Sequence, residues 1–292
     1  MRVVIAGSSG LIGTALVEDL RLAGHEVLRL VRREPKAASE VKWDPNTGEI
    51  DLTALTGVEV MINLAGAGVG DHRWTDKYKA EILNSRVNAT NTIVKAATEL
   101  KPKVLINASA IGFYGETGDR EVDETSNPGT GFLVDVVKAW EAATEPAKSA
   151  GIRVVNIRTG LVVSGKGGAW ARLLPLFKAG LGGQLGNGKQ YWSFISLRDE
   201  INAIKFVMEN DQVSGPVNLT APNPVTNREV TKAMSKVLRR PALLPVPAFA
   251  LKIVLGEFSQ EVLGSARVLP KVLQSAGFNF QDADIVSAIK TL

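Results

Sequence analysis

A short apolar run that breaks into a glycine-spaced turn opens this chain, and it constrains the fold more than any other feature. Arg2-Val3-Val4-Ile5-Ala6 reads as a buried strand and runs directly into Gly7-Ser8-Ser9-Gly10-Leu11-Ile12-Gly13. From Thr14 to Ala23, the residues Leu16, Val17, Leu20 and Ala23 recur at helical spacing until Gly24 stops the pattern. Strand, G-x-x-G-x-x-G turn and helix, in that order, predict a dinucleotide-binding unit. Gly7 permits the tight turn, Gly10 lets backbone approach a pyrophosphate, and Gly13 lets the helix lie close on the strand. The helix N-terminus then turns unpaired N–H groups and a partial positive charge toward the phosphates. Gly7, Ser8, Ser9, Gly10, Leu11, Ile12 and Gly13 are therefore the expected phosphate site.

The end of the second strand, Glu26–Val31, selects between dinucleotides. A carboxylate there would accept from a ribose 2′-hydroxyl, but the strand ends in Arg32-Arg33. Guanidinium groups hold a 2′-phosphate through charge-assisted, often bidentate hydrogen bonds. The missing carboxylate and the two arginines both point to NADP(H), with NADPH as the reduced form.

Composition removes several other chemistries. The chain has no cysteine, so disulfides, thiol catalysis and thiolate metal sites are excluded together. Its two histidines, His25 and His72, cannot build a histidine metal site, and no metal is expected. A net charge of +4 with no Lys/Arg-rich block gives no reason to expect a nucleic-acid partner. The longest apolar stretch, Pro241 to Gly256, contains three prolines and Lys252, so it is not a membrane span. The first apolar run is too short for a signal peptide and already belongs to a strand, so the expectation is a soluble, cytoplasmic protein.

Strand-like and helix-like segments alternate through most of the chain, which predicts an α/β fold: a Rossmann-type, doubly wound parallel sheet. Val58–Leu64, Lys103–Ala108 and Arg153–Arg158 read as further strands, with helices over Ile82–Leu100 and Phe132–Ala147. After Arg158 the alternation fades. A helix over Ala169–Ala179, strands at Tyr191–Ser196 and Gly215–Leu219, and a mostly helical tail from Asn227 predict a smaller, mixed, mainly helical lobe. The expected division is a nucleotide-binding domain at 1–163 with a return segment near 190–220, and a substrate-side lobe at 164–292. Gly183-Gln184-Leu185-Gly186-Asn187-Gly188-Lys189 imitates a P-loop. However, Gln190 stands where Ser or Thr must follow, and the flanking elements come in reverse order.

Taken together, these residues resemble the extended short-chain dehydrogenase/reductase superfamily, and more narrowly its atypical "epimerase family" branch with an extra C-terminal domain. The resemblance rests on Gly7 to Gly13, Lys42-Trp43-Asp44-Pro45, Ile62-Asn63-Leu64-Ala65-Gly66, Arg73-Trp74-Thr75 and Ser85-Arg86-Val87. Ala108 to Gly115, Trp140-Glu141, Arg158-Thr159-Gly160, Gly180-Leu181-Gly182-Gly183 and Arg267-Val268-Leu269-Pro270 complete it. It implies that Leu64 and Ala65 flank the riboses, that Glu81 and Arg86 line the cofactor, and that Val162 lies near the nicotinamide; the small residues through Gly66 at the strand's carboxyl end let a ribose approach the backbone.

The resemblance also implies a Tyr-x-x-x-Lys pair and a nearby hydroxyl, in which tyrosine moves the proton, lysine lowers its pKa and the hydroxyl orients the substrate. Lys138 occupies the lysine position, but Val134 stands where tyrosine is expected. The hydroxyl position falls on Ala110, with Ser109 one residue away. Ser109, Tyr114 and Lys138 are the remaining catalytic candidates. Trp170, Arg172, Trp192 and Arg198 are available to grip a substrate. Two readings result. One is an NADP(H)-dependent oxidoreductase or epimerase acting on a sugar-nucleotide-like small molecule, as a monomer or homodimer. The other is a catalytically silent NADP(H)-binding regulatory protein, for which division-related relatives are the analogy.

Overall fold

The computed structural model describes residues 1–292. β1 (Arg2–Ala6) is buried at Val3 to Ala6 and passes through the glycine turn into α1 (Leu11–Leu22), which places Leu16, Val17 and Leu20 on the sheet. β2 (Glu26–Val31) follows, then two strands the sequence hid, β3 (Glu40–Asp44) and β4 (Glu49–Ile50). Only Val41 and Trp43 supply apolar burial in β3, too short an alternation to stand out.

β5 (Val60–Asn63) leads to α2 (Asp76–Leu100), which begins well before Ile82 because Thr75 caps it, its side chain accepting from the Tyr78 N–H. β6 (Val104–Ala110) and the short β7 (Glu121–Val122) come next. The helix predicted over Phe132–Ala147 is two, α3 (Phe132–Ala142) and α4 (Glu145–Ser149). Thr144 Oγ1 donates to the Glu141 carbonyl at 2.7 Å, and Pro146 has no N–H to continue the ladder. β8 (Arg153–Thr159) and β9 (Leu161–Val163) precede α5 (Gly168–Lys178).

The strand expected at Tyr191–Ser196 is also divided, into β10 (Tyr191–Trp192) and β11 (Phe194–Ser196). Between them the Ser193 hydroxyl donates to the Ala266 carbonyl at 2.7 Å and accepts from the Val268 N–H at 2.8 Å. α6 (Leu197–Glu209) and β12 (Gly215–Leu219) follow. The remainder is β13 (Val225–Thr226), α7 (Asn227–Leu238), α8 (Ala248–Leu255), α9 (Ser259–Leu263), β14 (Arg267–Val268), α10 (Lys271–Ser275) and α11 (Ile285–Ile289). No helix is long and apolar enough to cross a membrane.

The main sheet has eight strands in the order β12-β8-β6-β5-β1-β2-β3-β4, and every neighbouring pair except β3–β4 is parallel. The chain winds outward from β1 through β2, then returns to β5 and winds the other way. That reversal places a crevice outside the carboxyl ends of β1 and β5, where open α/β sheets bind ligands. One core lies between the sheet and α1 with α6, a second between the sheet and α2. A third, built on Trp170, Phe177, Trp192, Phe194 and Met234, holds the later elements together. Those elements also bond to the segment between β5 and α2: Arg172 Nη1 donates to the Gly70 carbonyl at 2.8 Å and Arg73 Nη2 to the Ile253 carbonyl at 3.1 Å.

Candidate active site

The crevice begins at the glycine turn. Gly7 has φ +73°, and a Cβ there would lie 2.5 Å from the carbonyl carbon and oxygen of Leu64. A Cβ on Gly13 would overlap the Gly7 carbonyl oxygen. These two glycines therefore let three pieces of backbone meet: the end of β1, the start of α1 and the segment after β5. α1 has neither a side-chain cap nor an acidic residue in its first turn, so its leading N–H groups and positive dipole end face the crevice. Gly7, Ser8, Ser9, Gly10, Leu11, Ile12 and Gly13 form one continuous cradle whose shape and charge fit a pyrophosphate.

The two arginines after β2 are not equivalent. Arg32 is exposed and makes no hydrogen bond or ion pair with the rest of the chain. Arg33 forms a fork with Glu40, Nη1 to Oε2 at 2.8 Å and Nη2 to Oε1 at 2.7 Å. Arg29 also reaches Glu40 Oε1, at 2.7 Å, and the Lys36 N–H donates to Oε2 at 2.7 Å. Hydrogen bonding from Arg33 and from the Lys36 N–H holds the Glu40 pKa down to about 2. Glu40 escaped the sequence reading because its partner relation exists only once β3 pairs with β2, with Arg29 opposite Glu40.

Beneath the crevice runs a ladder of asparagines. Asn63, Asn107 and Asn156 stand in register on β5, β6 and β8. Asn63 Nδ2 donates to Asn107 Oδ1 at 2.8 Å and to Thr90 Oγ1 at 3.0 Å, and Asn107 Nδ2 donates to Asn156 Oδ1 at 3.4 Å. Asn63 Oδ1 accepts from the Ala65 N–H at 3.2 Å, which sets the turn through Leu64, Ala65 and Gly66. Arg86 lies on that turn: its side chain is 3.1 Å from where a Gly66 Cβ would be. It donates to the carbonyls of Ala67 and Ile82, both at 2.9 Å, and stacks on Trp140 with no carboxylate partner. Burial lowers its pKa to about 10. Glu81 is exposed and makes no hydrogen bond. Val162, on β9, packs on the same core as Ile12 and Leu64.

At the far end of the crevice the side chains neutralise one another. Ser109 Oγ donates to Glu141 Oε1 at 2.5 Å, and Glu141 grips Arg158 through Nε and Nη2, both at 2.8 Å. Arg158 Nη1 donates to the Tyr114 hydroxyl at 3.0 Å, which itself donates to Asn218 Oδ1 at 2.8 Å. Tyr114 is 1% exposed, and burial pushes its pKa up to about 12. Its hydroxyl is engaged on both sides within the protein, the setting of a packing group. Lys138 is exposed on α3 with no partner, while Val134 is buried against Gly115. Leu133 and Val137 of α3 pack on the turn that follows β6, 3.6 and 3.9 Å from a Cβ built on Gly112. Ser109 and Tyr114 thus meet in one network that excludes Lys138. Trp170 and Trp192 pack against each other in the third core, and Arg198 is tied to Asp282, so neither tryptophan grips a ligand.

The winding of the sheet and the glycine cradle define a Rossmann-type α/β protein. Residues 3–220 match the NAD dependent epimerase/dehydratase family, and residues 246–292 match a domain of unknown function. An epimerase family protein of Mycobacterium leprae is 46% identical over 98% of this chain and 94% of the relative. The human epimerase family protein SDR39U1, solved with NADPH, superposes with a TM-score of 0.92 at 29% identity, covering 99% of this chain and 98% of that one. A nucleoside-diphosphate sugar epimerase from Corynebacterium glutamicum superposes with a TM-score of 0.82 at 36% identity, covering 100% of this chain and 57% of that one. The chain belongs to the NAD dependent epimerase/dehydratase family.

Proposed function

We propose that this chain binds NADP(H) across the carboxyl ends of β1 and β5 and uses it for hydride transfer at an alcohol or carbonyl carbon. The observation that carries this reading is the cradle: an uncapped helix N-terminus behind two glycines that admit no Cβ, with unpaired Arg32 at the end of the neighbouring strand. The first turn of α1 takes the pyrophosphate. Arg32 takes the 2′-phosphate and Arg33, steadied by Glu40, flanks it. Leu64, Ala65 and Gly66 seat the riboses, with Val162 at the nicotinamide end. When bound, the nicotinamide supplies or accepts the hydride. The human relative's bound NADPH supports this choice of cofactor.

The substrate reading is a nucleotide-sugar-like anion. Arg86, a desolvated cation with only carbonyl partners beside Gly66, supports it, as does the sugar-nucleotide name of the Corynebacterium relative. We read 1–163 with the return through 190–220 as the nucleotide-binding unit and 164–292 as the substrate-side lobe. The second reading, a silent NADP(H)-binding regulator, draws on the absence of tyrosine and lysine from the face that Leu133 and Val137 occupy.

Calorimetric titration with NADPH and with NADH tests the cofactor assignment: NADPH binds tightly, NADH weakly, and Arg32→Ala removes the difference. Binding of neither nucleotide overturns the reading. NADPH binding without turnover of any carbonyl or sugar nucleotide leaves the silent regulator.

A further inference from the structure

The network at Ser109, Glu141, Arg158 and Tyr114 leaves hydride transfer without a proton source on the α3 side of β6. The opposite face of the same strand ends supplies one. Ala110, the position where a hydroxyl is expected, is the last residue of β6 and pairs in register with Thr159, the last residue of β8. Both are half-buried at the crevice. Alternation puts Thr159 on the face of Val155 and Ile157, toward α6, and Arg158 on the other. Behind Thr159 stands Glu200 of α6, 0% exposed. Thr159 Oγ1 and Glu200 Oε1 are 2.8 Å apart, and Glu200 Oε2 has no partner at all.

No ionised side chain pairs with this carboxyl; only the Thr159 hydroxyl and the positive end of α6, in whose first turn it lies, favour the charged form. β6, β9 and β11 carry no ionisable side chain. Arg158 of β8 is turned into Glu141, Arg153 of β8 is spent on the Val207 and Met208 carbonyls at the other end of α6, and Lys205 of α6 pairs with Asp19 of α1. Arg198 pairs with Asp282, and Asp199 accepts from the N–H groups of Gln281 and Asp282. Desolvation outweighs both and raises the Glu200 pKa to about 8, so the group carries a proton at neutral pH. A hydroxyl–carboxyl contact kept only to fasten α6 to β8 would be better served by two apolar side chains, which strand no polar atom.

We propose that Thr159 and Glu200 are the proton-carrying pair of this site, resting on the hydride-transfer reading above. In the reductive direction, the substrate carbonyl carbon takes the hydride from NADPH as its π pair moves to oxygen. That oxygen takes the Thr159 hydroxyl proton, Thr159 Oγ takes the proton of Glu200, and the Glu200 carboxylate regains a proton from solvent back through the Thr159 hydroxyl once the alcohol has left. The products are the alcohol and NADP+. Oxidation runs the same transfers in reverse.

Infrared titration of the full-length protein tests the pair without a substrate. A protonated-carboxyl band is expected at neutral pH, fading as the pH passes about 8, missing in Glu200→Gln and shifted in Thr159→Val. Reduction of 9,10-phenanthrenequinone by NADPH, used as a carbonyl probe, reads the catalytic role. The wild-type rate falls on the same alkaline limb, Glu200→Gln flattens that limb, Thr159→Val slows the reaction about a hundredfold, and Thr159→Ser restores it. NADPH affinity is unchanged in all three variants. A band that is missing at neutral pH, or indifferent to Thr159→Val, overturns the pair. So does a wild-type pH profile in Glu200→Gln. If the wild type itself binds no NADPH or reduces no probe, the hydride-transfer reading fails first and takes the pair with it.

Discussion

The two ends of the crevice are built by opposite means. At the phosphate end the backbone makes the site: Gly7 and Gly13 bring three segments together, and the leading N–H groups of α1 stay uncapped. At the far end side chains make it, and on the α3 face they satisfy each other through Ser109, Glu141, Arg158, Tyr114 and Asn218. A backbone site is poised for an incoming anion. A closed side-chain network instead holds helix α3 to the strands. The first should be sensitive to added atoms, and the second to lost charges.

Arg158→Met tests this contrast most severely. It leaves the half-buried Glu141 without its cation, and breaking such a pair costs about 3 kcal/mol of folding free energy. Urea unfolding should show that loss, while NADPH affinity in the surviving folded protein stays at the wild-type level. A large loss of NADPH affinity would mean the network belongs to the binding site after all.

Gly13→Ala probes the other end. Its Cβ would overlap the Gly7 carbonyl oxygen, so α1 must move off β1, a strain of about 3 kcal/mol. Calorimetry should find NADPH binding abolished even where the protein remains folded.

This contrast also explains what the sequence disclosed. The cradle was legible because Gly7 and Gly13 each have one physical reason to be glycine, and β1, α1 and β2 surround them within a few residues. Glu40 was not, because its role depends on β3, whose burial rests on Val41 and Trp43 alone. The Ser109–Glu141–Arg158 network joins residues from three elements, so it required the β6–β8 register and the placement of α3. Spacing pointed to Lys138, but the helix face that matters is set by where α3 packs. The breaks at Thr144 and Ser193 were invisible because side-chain hydrogen bonds, not apolar periodicity, made them.

Within the nucleotide end, Arg32 and Arg33 should separate. Arg32→Ala loses a free cation and should weaken NADPH binding about thirtyfold while leaving NADH unchanged. Arg33→Ala should weaken NADPH less and disturb folding more, since it strips Glu40 of its fork. Glu40 gives that effect a pH signature. Its folded pKa is depressed to about 2, so its contribution is present above the ordinary carboxylate range and lost as pH falls toward 2. Acid unfolding of Glu40→Gln should lack that portion of the slope.

The smallest effect expected is at Lys138. In a Tyr-x-x-x-Lys site the lysine must reach both the tyrosine and a ribose, which requires the pair to share the helix face turned toward the strand ends. Here Leu133 and Val137 pack on the turn that follows β6, and the lysine stands one residue further round α3, exposed and without a partner. Lys138→Ala should therefore leave NADPH affinity within about twofold of wild type. Calorimetry at low and high salt separates the two possibilities. A contact to the ribose would lower affinity strongly at both ionic strengths, whereas a solvated charge near the crevice would give only a slight change that salt erases. A strong loss at high salt would put Lys138 in the site and require α3 to rotate when the nucleotide binds.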